Sequence, residues 1–179
     1  MTAVAGLATL LGVGLAQAQT DTADPGPQRG QLSESDYRFA IKAARAGAEE
    51  VQLGQLAEQK GGSQAVRDFG KRMVSDHSKA NDGLKGVATQ KGATLPPTLS
   101  RTGRSSLDEL QGLSGYDFDK KYSKDMVKDH KEDVRAFEKA ANDVTDPDLR
   151  AWVQNTLPTL QEHLQMAEQM DRDVKGEKL

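Results

Sequence analysis

The chain has 179 residues, of which 36% are hydrophobic and 28% charged, with 24 lysines and arginines against 27 aspartates and glutamates. The net charge of −3 gives no indication of a nucleic-acid or anionic membrane partner, and the absence of cysteine excludes a disulfide scaffold, a zinc ribbon and a thiol nucleophile. Aromatic residues are only 4% of the chain, and β-branched residues are sparse beside alanine, leucine, glutamine, lysine and glutamate, which favours helices over a sheet.

The N-terminal segment has the pattern of a secretory signal peptide. Residues 2–15 are small and apolar, and Ala16-Gln17-Ala18 is the small-residue pattern that precedes a cleavage position. We therefore expect residues 1–18 to be removed after Ala18 and the mature protein to be periplasmic or secreted. The apolar run is too short to span a bilayer, and because no second apolar stretch follows, we expect no membrane span.

Capping signals divide the rest of the chain into four long helices. Ser33 and Ser114, each followed by an acidic residue three positions later, and Asp146-Pro147 mark N-termini. Gly61-Gly62 and Gly92 mark C-termini. The predicted long helices cover about 33–59, 64–91, 114–142 and 146–171, with a short helix at 104–112.

The predicted domain is therefore a helical bundle over residues 33–172. Residues 19–32, with Pro25 and other turn-forming residues, are predicted to be a flexible linker, and residues 173–179 a polar C-terminal tail. Pro158 lies inside the last helix and is expected to kink it or to free a carbonyl group.

The loop lengths predict the topology. Short loops make antiparallel hairpins of the first and last pairs of helices, whereas the connection between the hairpins is long enough to run the length of a bundle. The hairpins also match each other when the sequence is shifted by 83 positions, which superposes Glu49, Val51, Ala57 and Arg67 on Glu132, Val134, Ala140 and Arg150. Two similar hairpins joined by a long crossover predict an all-α, ferritin-like four-helix bundle.

The three histidines of the chain all lie on apolar stripes of these helices. His77, His130 and His163 occupy core positions on three helices, and Glu50 occupies one on the fourth, all within a few residues of mid-bundle. One inward side chain per helix at similar height predicts a site for one transition metal, Zn, Fe, Cu or Ni. The alternative is that each histidine hydrogen-bonds a buried neighbour, with Glu50 as one such partner.

An aspartate directly precedes two of these histidines. Asp76 and Asp129 cannot face the bundle centre together with the histidines that follow them, because neighbouring helical residues point about 100° apart. Each aspartate is predicted either to orient a histidine on an adjacent helix or to remain solvated at the surface. The sequence leaves both readings open.

Motifs in all four long helices resemble one bacterial family. They are EEVQLGQLA at 49–57, MVSDH at 73–77, KGATLP at 91–96, MVKDH at 126–130 and TLPTLQEH at 156–163. The chain is similar over about 33–170 to the ferritin-like Domain of Unknown Function 4142 family, whose members are often labelled outer-membrane proteins. The resemblance implies a ferritin-like four-helix bundle in an exported protein, and it implies no particular activity.

The family motifs cover the candidate ligands but not those of a di-iron enzyme. Glu50, His77, His130 and His163 are the positions that the resemblance carries over as candidates. Ferritin-like di-iron sites need Glu-x-x-His motifs, and the residues three before the histidines are Val74, Val127 and Leu160 instead. The absence of this motif argues against a ferritin-like oxidase.

Two functions therefore stand ahead of an oxidase. The first is a non-enzymatic, exported binding or stress-related protein, and the second is a transition-metal-binding bundle. Basic and acidic residues are interspersed, so no basic face for nucleic acid is expected. The first helix carries a wide apolar face that includes Tyr37, Ile41 and Val51, which either deep burial or a homodimer contact would use.

Overall fold

The computed structural model of the protein describes residues 28–96 and 99–176. The predicted signal peptide, residues 1–18 with its cleavage position, lies outside the described residues. Within them the chain forms five helices and no strand, apart from one isolated bridge between Gly61 and Gly115. These helices are α1 (Glu34–Lys60), α2 (Gln64–Gln90), α3 (Arg101–Gln111), α4 (Gly115–Asp143) and α5 (Pro147–Gly176). The predicted all-α class is confirmed, and no described helix combines the length and apolarity needed to cross a bilayer.

Side-chain caps begin most of these helices, as their sequences predict. The Ser33 hydroxyl accepts a hydrogen bond from the Asp36 amide at 3.1 Å, and the Ser63 hydroxyl accepts one from Val66 at 3.3 Å. Ser114 makes no such bond at the start of α4. The boundaries lie within a few residues of the predicted ones, because the caps are encoded locally.

Each hairpin has one aspartate that forms hydrogen bonds with the loop of the other hairpin. Asp36, in the first turn of α1, accepts hydrogen bonds from the amide and hydroxyl of Thr145 in the α4–α5 loop. Asp119, near the start of α4, accepts bonds at 2.8 and 2.7 Å from the amides of Gly62 and Ser63 in the α1–α2 loop. Positions 36 and 119 differ by the same 83 residues as the sequence match. These reciprocal contacts make α1 and α4 antiparallel and repeat the internal similarity in three dimensions.

An ion-pair cluster joins the hairpins at the same end of the bundle as the Asp36 contact. Lys91, which follows α2, lies 2.9 Å from Asp146 and 2.5 Å from Asp148 at the start of α5. Therefore α2 and α5 are also antiparallel, and α2 and α4 run in the same direction. The connection between them, which contains α3, returns along the bundle and packs on α1 and α4.

Two predicted flexible segments are ordered in part, which corrects their boundaries. Residues 28–32 of the predicted linker are fixed to the segment after α2: the Gln31 amide donates to the Lys91 carbonyl at 2.8 Å, and Leu32 is buried in the core. At the other end, α5 continues through Pro158 to Gly176, so residues 173–176 of the predicted tail are helical. Both corrections have one cause, since a single apolar side chain, Leu32 or Val174, is buried in each segment.

Two apolar clusters fill the bundle, one toward each end. One includes Leu84, Val134 and Leu160, and the other includes Met73, Met126 and Ala167. On each of the helices α2, α4 and α5, a histidine lies between the residues of these two clusters. The histidine layer is therefore at mid-bundle, enclosed by apolar side chains on both sides.

Candidate metal centre

His77, His130 and His163 converge at this mid-bundle layer. Their ring centroids are 5.8 Å apart for 77 and 130, 5.3 Å for 77 and 163, and 5.5 Å for 130 and 163. One ring nitrogen from each histidine lies within 4.8 Å of one from each of the others. The three residues are only 5%, 0% and 1% exposed, so the triangle that they form lies inside the protein.

Hydrogen bonds fix the tautomers of two rings. Nε2 of His163 donates to the Asp76 carboxylate at 2.9 Å, and Nδ1 of His130 donates to the Met126 carbonyl at 2.9 Å. In the neutral rings the lone pair then lies on the other nitrogen. Those two nitrogens and Nε2 of His77 are buried and have no hydrogen-bond partner among the described residues. Three buried ring nitrogens without partners, at least two of them acceptors, are an unusual and unfavourable arrangement in an apolar core.

Burial keeps these imidazoles neutral. It lowers the pKa of His77 to about 3, an effect that the neighbouring His130 and His163 strengthen, and it lowers the pKa of His130 to about 4. Burial also lowers the pKa of His163, although the contact with Asp76 opposes this shift. At neutral pH the three rings therefore present lone pairs rather than protons, which is the form that binds a metal ion.

The triangle is close to the size that one metal ion requires. At metal–nitrogen bond lengths of about 2.1 Å, two ligand nitrogens in a tetrahedral site are about 3.4 Å apart. The nitrogens here lie within 4.8 Å of one another. Side-chain rotations that move each ring nitrogen by roughly an ångström would therefore complete a three-nitrogen site. The residues present therefore fit a single ion that prefers imidazole ligands.

Of the two aspartates predicted to orient a histidine, only Asp76 contacts one. Asp76 on α2 reaches His163 on α5 and also forms an ion pair with Arg72. Burial raises the pKa of Asp76, but the hydrogen bonds from His163 and Arg72 outweigh it, and the net pKa is below the ordinary value. Asp129 instead pairs with Lys128 at 3.4 Å, with a side chain that is 30% exposed.

Glu50 does not join the histidine group in the structure. It is 3% exposed, and its Oε2 atom has no hydrogen-bond partner among the described residues. Burial raises the pKa of Glu50 well above its ordinary value, and the nearby carboxylates of Asp133, Asp129 and Glu49 raise it further. The structure thus separates the four predicted ligands into a histidine triangle and an acidic group.

The acidic group lines a cavity between α1 and α4. The cavity has a volume of about 570 Å³, and part of α3 lies along it. Asp133 is the member that the sequence analysis did not single out. Burial raises the pKa of Asp133 to about 7, with Asp129 contributing. A signal for it existed, since Asp133 is the residue that the 83-position shift places on Glu50.

A second, smaller cavity lies beside His77 and borders this region. It measures about 20 Å³, enough for one water molecule or one ion, and His77, Asn81 and Thr156 are among its lining residues. Asp133 and Ala46 line both cavities. The acidic cavity and the small cavity beside His77 are therefore neighbours that share a boundary of one carboxylate and one small side chain.

The profile of a family described as a domain of unknown function, DUF4142, matches residues 21–170. The chain belongs to this family. The resemblance seen in the sequence motifs is thus confirmed, and the family description assigns no activity to a DUF4142 protein. No curated protein matches the chain.

Two solved structures share the fold of this DUF4142 protein. A DUF305 fragment from Deinococcus radiodurans is similar with a TM-score of 0.67 and 12% identity, covering 79% of this chain and 98% of its own. CopM in the Cu(II)-bound form is similar with a TM-score of 0.65 and 12% identity, covering 77% of this chain and 95% of its own. At this identity the likeness concerns the helical fold alone.

Proposed function

We propose that this DUF4142 protein is an exported, non-enzymatic binding protein that holds one transition-metal ion, copper before zinc, between His77, His130 and His163. The observation that carries the proposal is the buried triangle of neutral imidazoles, in which one nitrogen of each ring has no hydrogen-bond partner among the described residues. One ion bonded to all three nitrogens would satisfy them together, which single donors from the surrounding apolar clusters cannot do.

The ligand set supports copper or zinc over iron. Three imidazoles without a carboxylate match ions that prefer nitrogen, and among divalent ions such sites bind Cu²⁺ most tightly. The likeness to CopM, whose structure is in a Cu(II)-bound form, adds support for copper. The di-iron alternative lacks support, because no bridging carboxylate lies within the histidine group.

The helix directions support a ferritin-like four-helix arrangement. α1 and α5 run one way while α2 and α4 run the other, and the long connection between α2 and α4 spans the bundle, as ferritin-like topology requires. Export is supported by the apolar segment and Ala16-Gln17-Ala18 pattern. Mass measurement of the mature protein from a periplasmic extract tests it, with a start at Gln19 expected.

Metal titration tests the proposed function. Protein purified without chelator and then stripped is expected to bind one equivalent of Cu²⁺ or Zn²⁺, and to gain thermal stability in proportion to the logarithm of free metal. His77→Ala and His163→Ala variants are expected to lose at least about 1000-fold in affinity, or about 4 kcal/mol. Glu50→Gln, which changes a buried side chain outside the triangle, is the matched control and should have the dissociation constant of the wild type at equilibrium. Failure of the wild-type protein to bind either ion would overturn the proposal.

A further inference from the structure

A metal ion could reach the buried histidines only by a path through the bundle. The three rings are at most 5% exposed, and two apolar clusters enclose them from both ends. The path must therefore open on a side of the bundle, where helices are separated by small or polar side chains.

The acidic cavity between α1 and α4 provides such a side opening. Five acidic and four basic side chains are among its described lining residues. The basic side chains of Arg38 and Lys128 are 70% and 67% exposed and lie at the rim, whereas Glu50 is 3% exposed and forms part of the floor. The Oε2 atom of Glu50 has no hydrogen-bond partner among the described residues, and it lines a cavity wide enough for a hydrated ion.

A boundary shared by the two cavities, here called the neck, separates this floor from His77. Ala46 on α1 and Asp133 on α4 line both cavities and form this neck, and His77 lines the smaller cavity. Ala46 contributes only a methyl group to the neck, and Asp133 contributes an oxygen ligand. An ion that leaves water at Glu50 would therefore meet a second carboxylate before it meets the first imidazole.

We propose that the ion reaches the three histidines through the acidic cavity, past the neck formed by Ala46 and Asp133, and that Glu50 and Asp133 bind it in transit. This inference rests on the metal binding proposed above. In it the two carboxylates increase the rates at which the ion is loaded and released, and they do not contribute to its affinity for the histidine site. An obstacle in a path slows movement in both directions equally, because it changes the barrier and leaves both end states unchanged.

Stopped-flow mixing of the full-length mature protein with Zn²⁺ measures loading, and transfer of bound Zn²⁺ to an excess of a chromophoric chelator measures release. In Ala46→Leu, which fills the neck, both rates are expected to fall at least tenfold with the dissociation constant unchanged within about twofold. Ala48→Leu is the matched control, since Ala48 lies on the same helix and lines neither cavity in the described part of the chain. Thermal melts of each variant establish that it is folded.

Asp133→Asn provides a second variant that alters charge instead of volume. It is expected to slow loading and release together, while Glu138→Gln, at an exposed position of α4 that is not among the lining residues of either cavity, leaves both rates unchanged. Wild-type rates in both Ala46→Leu and Asp133→Asn would overturn the route.

These outcomes separate the route from the binding site. If the wild-type protein binds Zn²⁺ and Cu²⁺ but the neck variants load at its rate, the histidine site stands and the route is wrong. If the wild-type protein binds neither ion, both proposals fall together. A weaker affinity of Asp133→Asn for Zn²⁺ with an unchanged release rate would also contradict the route. Asp133 would then contribute to the stability of the bound state.

Discussion

The histidine triangle and the acidic cavity are neighbours at mid-bundle, yet the internal duplication treats them differently. The 83-position shift relates Glu50 to Asp133, so both halves contribute an acid to the cavity. The same shift relates His130 to Gly47 and His163 to Ala80, which are small residues that line the cavity beside His77. The two acids thus occupy equivalent positions in the two hairpins. His130 and His163 of the second hairpin, in contrast, are replaced by small residues at the equivalent positions of the first hairpin.

Burial also acts on the two regions in opposite directions. It lowers the pKa values of His77 and His130 and raises those of Glu50 and Asp133, so both regions are driven toward neutral side chains. The histidines remain able to bind a cation in that state because their lone pairs are free. The acids must first release a proton, which suits groups that hold an ion briefly rather than permanently.

Neutral isosteres of Glu50 and Asp133 test whether burial of these acids lowers the stability of the protein. Folding raises the pKa of Asp133 to about 7 and that of Glu50 well above its ordinary value. Their favourable contribution to stability is complete below about pH 4 and is lost as the pH rises through the folded pKa. The double variant Glu50→Gln, Asp133→Asn is therefore expected to raise the unfolding free energy of the metal-free protein at pH 8 by about 4 kcal/mol through Asp133, and by a further amount through Glu50. Urea denaturation at pH 4 and pH 8 measures the difference.

The same experiment carries its own control. At pH 4 the double variant and the wild type should be nearly equal, because the native acids are then already neutral. Glu132→Gln, with a side chain that is 63% exposed, should have no effect at either pH. Equal stabilities at pH 8 would show that the two acids are solvated or paired in the folded protein.

Removing the charge of Asp76, outside the triangle, tests how much the orientation of His163 contributes to metal affinity. Asp76→Asn keeps the shape of the side chain but weakens the hydrogen bond that holds the His163 tautomer. Partners of this kind typically contribute 10- to 100-fold to metal affinity, so a loss of about 1–3 kcal/mol in binding is expected. Competition with a chelator of known affinity measures the loss, and the nitrogen chemical shifts of His163 report the change in tautomer.

Asp129→Asn is the matched control for this variant. Asp129 also directly precedes a histidine in the sequence, but its carboxylate pairs with Lys128 at the surface. Its replacement should leave metal affinity within about twofold of the wild type. An equal loss in both variants would mean that general electrostatics, rather than the orientation of one ring, determines the affinity.

The contrast also shows what the sequence can predict. The helical repeat and the distance from each loop were sufficient to bring His77, His130 and His163 together, because each helix is long, regular and capped at a recognisable residue. They were insufficient for Glu50, since Ala43, Ala46 and Gly47 of α1, and not Glu50, line the small cavity beside His77. Which of two residues on one stripe faces a given neighbour depends on how helices rotate against each other, and packing decides that.

Long-range polar contacts were equally beyond local patterns. Asp36 reads as part of a helix cap, yet its carboxylate bonds to Thr145, 109 residues away. The burial of Leu32 depends on the loop after α2, so the predicted linker could not be shortened from its composition. Both cases involve one side chain whose partner lies in another hairpin or loop, and the sequence pattern around it does not name that partner.

The smallest expected effect is that of pH on metal affinity, because burial keeps protons from competing for the histidine nitrogens. Protons compete with metal for the histidine nitrogens only near the pKa of each ring, and those of His77 and His130 lie at about 3 and about 4. Between pH 7.5 and 6.0 His77 and His130 stay neutral in the metal-free protein, and only His163, whose pKa burial lowers, competes for protons, so the affinity for Zn²⁺ is expected to change less than about fourfold. Three solvated imidazoles of pKa about 6.5 would lose about 50-fold over the same range. Titration at the two pH values, beside an unfolded peptide with three histidines, separates these cases, and a 50-fold loss in the protein would place the rings in water.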